Sequence, residues 1–298
     1  MTTTITTLAL LQKRGRETGL PLAALLRIAA KSALIRYVAT SSHREDFILK
    51  GGTLLHHVYH SPRFSIVDMD LTHREAQGAT LSEGELNQAL SVDTAEFAID
   101  FSTVTWNKDN ALWSADRVAY RLGGAQISQY LPRSEMSVTV SVREGEWLDP
   151  QDPVDYSDPL LTDPATFKVR GLTLEELAAE KILAWCSKHL VKHAIDLAYV
   201  ARDHAPIDKD KVRSLVERKF RVEGSSGRYK AAGINRLDDL VVAMISQAAT
   251  RILRQDWDKT DLLLPTSELK RADSLRDPAS VERFLRDFWA PVIRVVRR

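Results

Sequence analysis

Asp68 and Asp70 stand one residue apart in the apolar run "FSIVDMDL", a short way after the glycine pair Gly51 and Gly52 that ends "FILKGG". Side chains alternate along an extended strand, so the two carboxylates share one face and Val67 and Met69 the other. Spaced about 7 Å apart at the backbone, the like charges repel. Such acids are commonest as solvated groups on an edge strand, but the glycine pair points to another use. A helix that starts after Gly51 and Gly52 offers unpaired N–H groups to a phosphate, and glycine lets the phosphate approach the backbone. Opposite it, two carboxylates suit Mg2+ (Mn2+ is the alternative), a hard cation bound through one or two carboxylates plus substrate phosphate oxygens. The chemistry this allows is in-line phosphoryl displacement, with attacking and leaving oxygens both stabilised.

The elements that must position these groups follow from periodicity. "FILKGG" predicts a short buried strand, "TLLHHVYH" a helix of about two turns, and "FSIVDMDL" a second strand. Before them, residues 5–40 predict two helices broken near "ETGLP", with Pro21 in the first turn of the second. After them come a helix near 81–91 and strand candidates "EFAIDFSTVTW", "RVAYRL" and "MSVTVSVRE". The proline- and aspartate-rich "LDPQDPVDYSDPLLTDP" predicts a surface loop. Beyond "TFKVRG" the pattern is helical to the end, opened by a capping box of Thr173 with Glu176. The expected architecture is α+β: N-terminal helices over 1–40, a mixed α/β core over 41–170, and a helical C-terminal domain over 171–298.

A glycine pair, a helix and then Asp-x-Asp on a strand resemble the polymerase-β-like nucleotidyltransferases. "LKGGTLL…SPRFSIVDMDL" is similar, more narrowly, to the AbiEii/AbiGii nucleotidyltransferase toxins, MenT-type toxins included. Gly51, Gly52, Thr53, Leu55, Arg63, Phe64, Ser65, Asp68 and Asp70 match in type and order. Ile66 and Val67 both separate Ser65 from Asp68, where the family usually has a single residue. "LTLEELAAEKILAWCSKHLVKHAIDLAYV" resembles a second family block, with Glu180, Lys181, Ala184, Lys188, Lys192, Asp196 and Leu197 in register. His193 sits where the family often has aspartate. The resemblance implies a polymerase-β-like core with Gly51, Gly52 and Thr53 at the nucleotide, Asp68 and Asp70 on the metal, and Lys181 in the active site.

On one continuous helix, Lys181, Lys188 and Lys192 would fall within about 40° of each other, with Asp196 about 60° from Lys181. Such a stripe is either a solvated face or a set of point charges for triphosphate oxygens, and the resemblance favours the second. Asp196 has three open roles: orienting Lys192, serving as a third metal acid, or acting as general base. In many polymerase-β-like enzymes a third acid comes from a later strand. Here "SVTVSVRE" carries Thr139 and Ser141 where that acid would stand, and Glu144 at its end is a poor substitute. Lys50 either reaches a phosphate or merely ends a strand. Arg63 binds phosphate or pairs with an acid. Ser65 is expected near the metal, where a phosphate added to it would crowd the carboxylates. His56, His57 and His60 suggest zinc only weakly, since only His56 and His60 share a helix face. Cys186 reads as structural.

The chain has 298 residues, 44% hydrophobic and 27% charged, with formal charge +1. That allows a large core but excludes a strongly basic protein, so any polyanion must meet local patches. A single cysteine excludes a disulfide framework. No apolar run of about 18 residues and no signal-peptide pattern occurs, which predicts a cytoplasmic protein with no membrane partner. "RKFRVEGSSGRYKAAGINR", whose glycines and serines suggest a mobile loop, and the arginine-rich "VERFLRDFWAPVIRVVRR" are patches suited to structured RNA. The resemblance implies a toxin that transfers nucleotides from an NTP, often CTP, to the 3′ acceptor end of tRNA and blocks translation. It also implies a cognate antitoxin. Three rivals share these residues: transfer of NMP to a protein hydroxyl, an RNA-binding module with a degenerate transferase fold, and a phosphodiesterase using the same metal pair.

Overall fold

The computed structural model describes residues 8–61, 68–75, 81–94, 97–109, 112–122, 135–144, 152–156, 167–223, 227–257, 275 and 277–294. The chain divides into two compact units, parting between Leu172 and Thr173. The fold class is α+β.

The first unit opens with α1 (Leu8–Thr18) and α2 (Leu22–Thr40), with Pro21 as the extended residue that caps α2. Helix α2 is apolar nearly all round its circumference, and a helix of that kind must be enclosed. Ala24, Leu25, Ile28, Leu34, Ile35 and Val38 are all buried, and the helix packs on the sheet. Among the described residues no single helix is long and apolar enough to cross a membrane.

The sheet elements follow as β1 (Phe47–Leu49), α3 (Gly51–His57), β2 (Asp68–Glu75), α4 (Glu83–Leu90), β3 (Val92–Asp93), β4 (Phe97–Ile99), β5 (Asn107–Asp109), β6 (Leu112–Leu122) and β7 (Glu135–Glu144). Ser82 and Glu85 close a reciprocal capping box at the start of α4. The strands form one mixed sheet in the order β1-β2-β7-β6-β4-β3, with β5 paired to β6. Only β2 and β7 run parallel among these pairs, in a register that sets Asp70 beside Thr139 and Thr72 beside Ser141. The pleat sorts the side chains. Met69, Leu71, Met136, Val138 and Val140 are buried on one face, while Asp68, Asp70, Ser137, Thr139 and Ser141 stand on the other.

Two expectations change here. "EFAIDFSTVTW" is a strand only over Phe97–Ile99 among the described residues, because Asp100 turns the chain by accepting from the Ser102 N–H and hydroxyl. The expected surface loop contains β8 (Val154–Tyr156), which pairs antiparallel with β9 (Phe167–Val169). Tyr156 is the reason: its ring is buried between His57 and Phe167, and its hydroxyl meets Ser32 at 3.0 Å.

The second unit is helical: α5 (Leu174–Lys188), α6 (Val191–Asp203), α7 (Lys209–Glu223), α8 (Gly227–Ala231), α9 (Leu237–Ile245), α10 (Gln247–Gln255), α11 (Pro278–Phe284) and α12 (Ala290–Ile293), with a π-helical turn at Leu285–Trp289. Indole N–H groups fasten its core, from Trp185 to the Met244 carbonyl and from Trp289 to the Leu197 carbonyl. Cys186 is buried, its thiol against the Leu240 carbonyl, and burial pushes that thiol far above its ordinary range. A thiol so held is unreactive, as expected of a structural cysteine.

Candidate active site

Strand β1 delivers the chain to Lys50, whose N–H donates to the Asp70 carbonyl at 3.0 Å. The next residue, Gly51, has φ +69°, and a Cβ built there would lie 2.0 Å from Oδ2 of Asp70. Glycine is therefore needed twice over, for the left-handed backbone and for the space the carboxylate occupies. The helix begins at Gly51 itself, so both glycines belong to its first turn.

Thr139 on β7 donates its hydroxyl to Oδ1 of Asp70 at 2.7 Å. The position where a third strand acid was sought thus holds a hydroxyl that steadies the second aspartate. Glu144 pairs in register with Glu75, at the far end of the same two strands. Lys50, for which phosphate binding and a bare strand end were both open, places its ammonium on the Ser141 hydroxyl. Thr53 is buried and donates to the Asp68 carbonyl at 3.3 Å.

Asp68 and Asp70 are half-buried on the polar face, backed by the fully buried Met69. An all-oxygen pair of this kind, with one carboxylate oxygen against a bare glycine, fits a hard divalent cation. Among the described residues no three or more histidine, cysteine or carboxylate side chains cluster as ligands. Two carboxylates completed by substrate and water is the donor set these residues offer. The histidines of α3 are packed: His56 Nδ1 meets the Ser61 carbonyl, and His57 stacks on Tyr156 with ring centroids 4.7 Å apart. Arg63 and Ser65 lie outside the described residues.

The second block is built differently from the expectation of one long helix. Helix α5 stops at Lys188, because His189 turns left-handed at φ 50°, and α6 begins at Val191. The angular stripe through Lys181, Lys188, Lys192 and Asp196 therefore does not exist on one helix. Instead, Lys181 Nζ and Asp196 Oδ2 meet at 2.7 Å across the break, 8% and 0% exposed. Asp196 thus pairs with Lys181, a partner that none of the three roles left open for it had named. Lys188 is exposed and Lys192 half-buried.

The capping threonine behaves as expected, accepting from the Glu176 N–H at 3.3 Å. The Glu176 carboxylate, however, meets Lys219, which also reaches Glu180 at 3.3 Å. Lys219, assigned to a basic patch, is only 5% exposed. The described residues around it are largely helices α7 and α8, with Phe220 edge-on to Tyr229, and residues 224–226 of the expected loop lie outside the described residues. Arg221, Lys230 and Arg236 remain exposed.

Lys31 escaped the sequence reading. It is fully buried in α2, and its ammonium lies 3.3 Å from the Thr53 hydroxyl and 3.3 Å from the Asp68 carbonyl. A signal was present: Lys31 follows Ile28 by three residues and precedes Leu34 and Ile35 by three and four, on an apolar helix face.

A family model described as nucleotidyl transferase AbiEii toxin, type IV toxin–antitoxin system, matches residues 32–279. No curated protein sequence matches the chain significantly. Among solved structures, the nucleotidyltransferase toxin MenT4 of Mycobacterium tuberculosis H37Rv superposes with a TM-score of 0.67 at 17% identity, over 97% of this chain and 90% of that one. At that identity the likeness speaks for the fold. The family match spans most of the chain and takes in both the carboxylate strand and the Lys181–Asp196 helices. This chain belongs to the AbiEii family of nucleotidyltransferase toxins of type IV toxin–antitoxin systems.

Proposed function

We propose that the protein transfers a nucleotide from an NTP, CTP by preference, to the 3′ acceptor end of tRNA and thereby blocks translation. The observation that carries this reading is the contact of Gly51 with Asp70: a bare glycine turn, in left-handed backbone, set directly against a strand carboxylate. In such a transfer an acceptor hydroxyl oxygen attacks the α-phosphorus. A phosphodiester forms, the bond to pyrophosphate breaks, and the acceptor hydroxyl gives up its proton to solvent.

Asp68 and Asp70 would hold Mg2+ or Mn2+, which when bound supplies positive charge to the phosphate oxygens. Gly51, Gly52 and Thr53 would lie along the nucleotide, with Lys50 as a neighbouring cation. The family resemblance gives Arg63, Ser65, Lys188 and Lys192 to nucleotide binding as well, and Lys181 with Asp196 to the same reaction. Exposed Arg221, Lys230 and Arg236 support a polyanionic acceptor. Membership of a toxin–antitoxin family supports a cognate antitoxin partner, and an NTP donor with a tRNA acceptor supports the cytoplasm as the place of action.

The test is incubation with each α-32P-labelled NTP, Mg2+ and total RNA, with and without EDTA. Label on tRNA, strongest with CTP and lost in EDTA, is the expected result. Label on protein would favour NMP transfer to a hydroxyl, and no label with any NTP would favour an RNA-binding module.

A further inference from the structure

The buried ammonium of Lys31 sits where the core of the first unit meets the carboxylate strand. It comes from α2, among Ile28, Leu34 and Ile35, and is 0% exposed. Its Nζ is 3.3 Å from the Thr53 hydroxyl and 3.3 Å from the Asp68 carbonyl, and the Thr53 hydroxyl itself donates to that carbonyl at 3.3 Å. Three polar groups from α2, α3 and β2 thus meet in one small triangle. Its third corner is the backbone of the first aspartate.

A buried charge is expensive, and an uncharged side chain of the same length would fill the space more cheaply. Packing alone therefore does not account for a lysine here. The contacts do: the ammonium fixes the point where β2 starts relative to the first turns of α3, and so fixes the direction in which the Asp68 side chain leaves the strand. The family match begins at residue 32, so Lys31 lies outside the stretch by which the family is recognised.

We propose that Lys31 is a positioning residue for nucleotidyl transfer, acting through Thr53 and the Asp68 backbone to aim the Asp68 carboxylate. This rests on the reading of Asp68 as a catalytic carboxylate. The experiment compares the parent, Lys31→Met, Thr53→Val, their double variant and Asp68→Ala, by steady-state transfer of labelled NTP and by thermal melting.

Methionine keeps length and apolarity, so Lys31→Met should melt at or above the parental temperature while kcat falls at least 30-fold and KM for NTP moves less than threefold. Thr53→Val should lose about tenfold in kcat, and the double variant should be no worse than Lys31→Met, because both act through one contact. Parental kcat in Lys31→Met, with Asp68→Ala inactive, overturns the role of Lys31 alone. So does a Lys31→Met protein that melts early but turns over normally when assayed well below its melting point. If Lys31→Met does not fold, Thr53→Val carries the test, and parental kcat there overturns the proposal. Full activity in Asp68→Ala removes the underlying reading and the proposal with it.

Discussion

The hydroxyl of Thr139 holds one oxygen of the Asp70 carboxylate, and the other oxygen of that carboxylate faces Gly51. The aspartate is thus clamped between a neighbouring strand and a turn. Thr139→Val keeps the shape and the β-branch and removes the donor. It should cost about 1 kcal/mol of stability and slow nucleotide transfer by roughly tenfold, the amount that about 1.4 kcal/mol of lost transition-state stabilisation represents. Kinetics at saturating NTP would check this, and a variant as fast as the parent would show that the clamp is dispensable.

Gly51→Ala should be more damaging. The left-handed backbone there costs an L-residue about 1–2 kcal/mol, and the added methyl would displace the Asp70 carboxylate. Transfer should fall more than 100-fold, with melting lowered by several degrees. Gly84→Ala is the control, since a Cβ there meets nothing nearer than 4.0 Å.

Lys181 and Asp196 call for a paired design. Removing one partner leaves the other charge buried, at about 3–5 kcal/mol. Lys181→Ala should therefore lose both transfer activity and thermal stability. The double variant Lys181→Met, Asp196→Leu should regain most of the melting temperature and none of the activity. If the double variant recovers neither, the pair is not the source of the instability.

Glu176 gives a pH dependence. Burial raises its carboxyl above the ordinary value of 4.5, outweighing the pull of Lys219. A carboxyl raised on folding contributes stability that is fully present below its unfolded value and is lost as pH climbs through its folded one. Glu176→Gln has no such term. The melting temperature of the variant minus that of the parent should rise as pH climbs above the ordinary carboxyl value of 4.5, and a flat difference would place the shift elsewhere.

The parts of this molecule legible in the sequence were those governed by local pattern. Gly51, Asp68 and Asp70 came from residue type and strand alternation, and α2, α4 and β7 from periodicity and caps. What stayed hidden depended on partners distant in the chain. Thr139 could be placed on a strand, but only the parallel register with β2 gives it Asp70. Tyr156 looked like part of a loop until Ser32 and His57 enclosed it. The stop of α5 was missed because His189 carries no helix-breaking signature, unlike glycine or proline, and the single stripe that an unbroken helix would give the lysines is absent for that reason. Lys219 looked like surface charge because burial of a lysine is a tertiary fact, and Lys31 was not singled out.

The parallel pairing of β2 with β7 also sets a schedule. Asp70 and Thr139 are separated by 69 positions, and parallel strands close slowly because the intervening chain must be ordered first. During synthesis both aspartates leave the ribosome long before the strand that orients them exists. A nascent chain that ends before Glu135 carries the two acids without β7, and so without the Thr139 hydroxyl that holds Asp70.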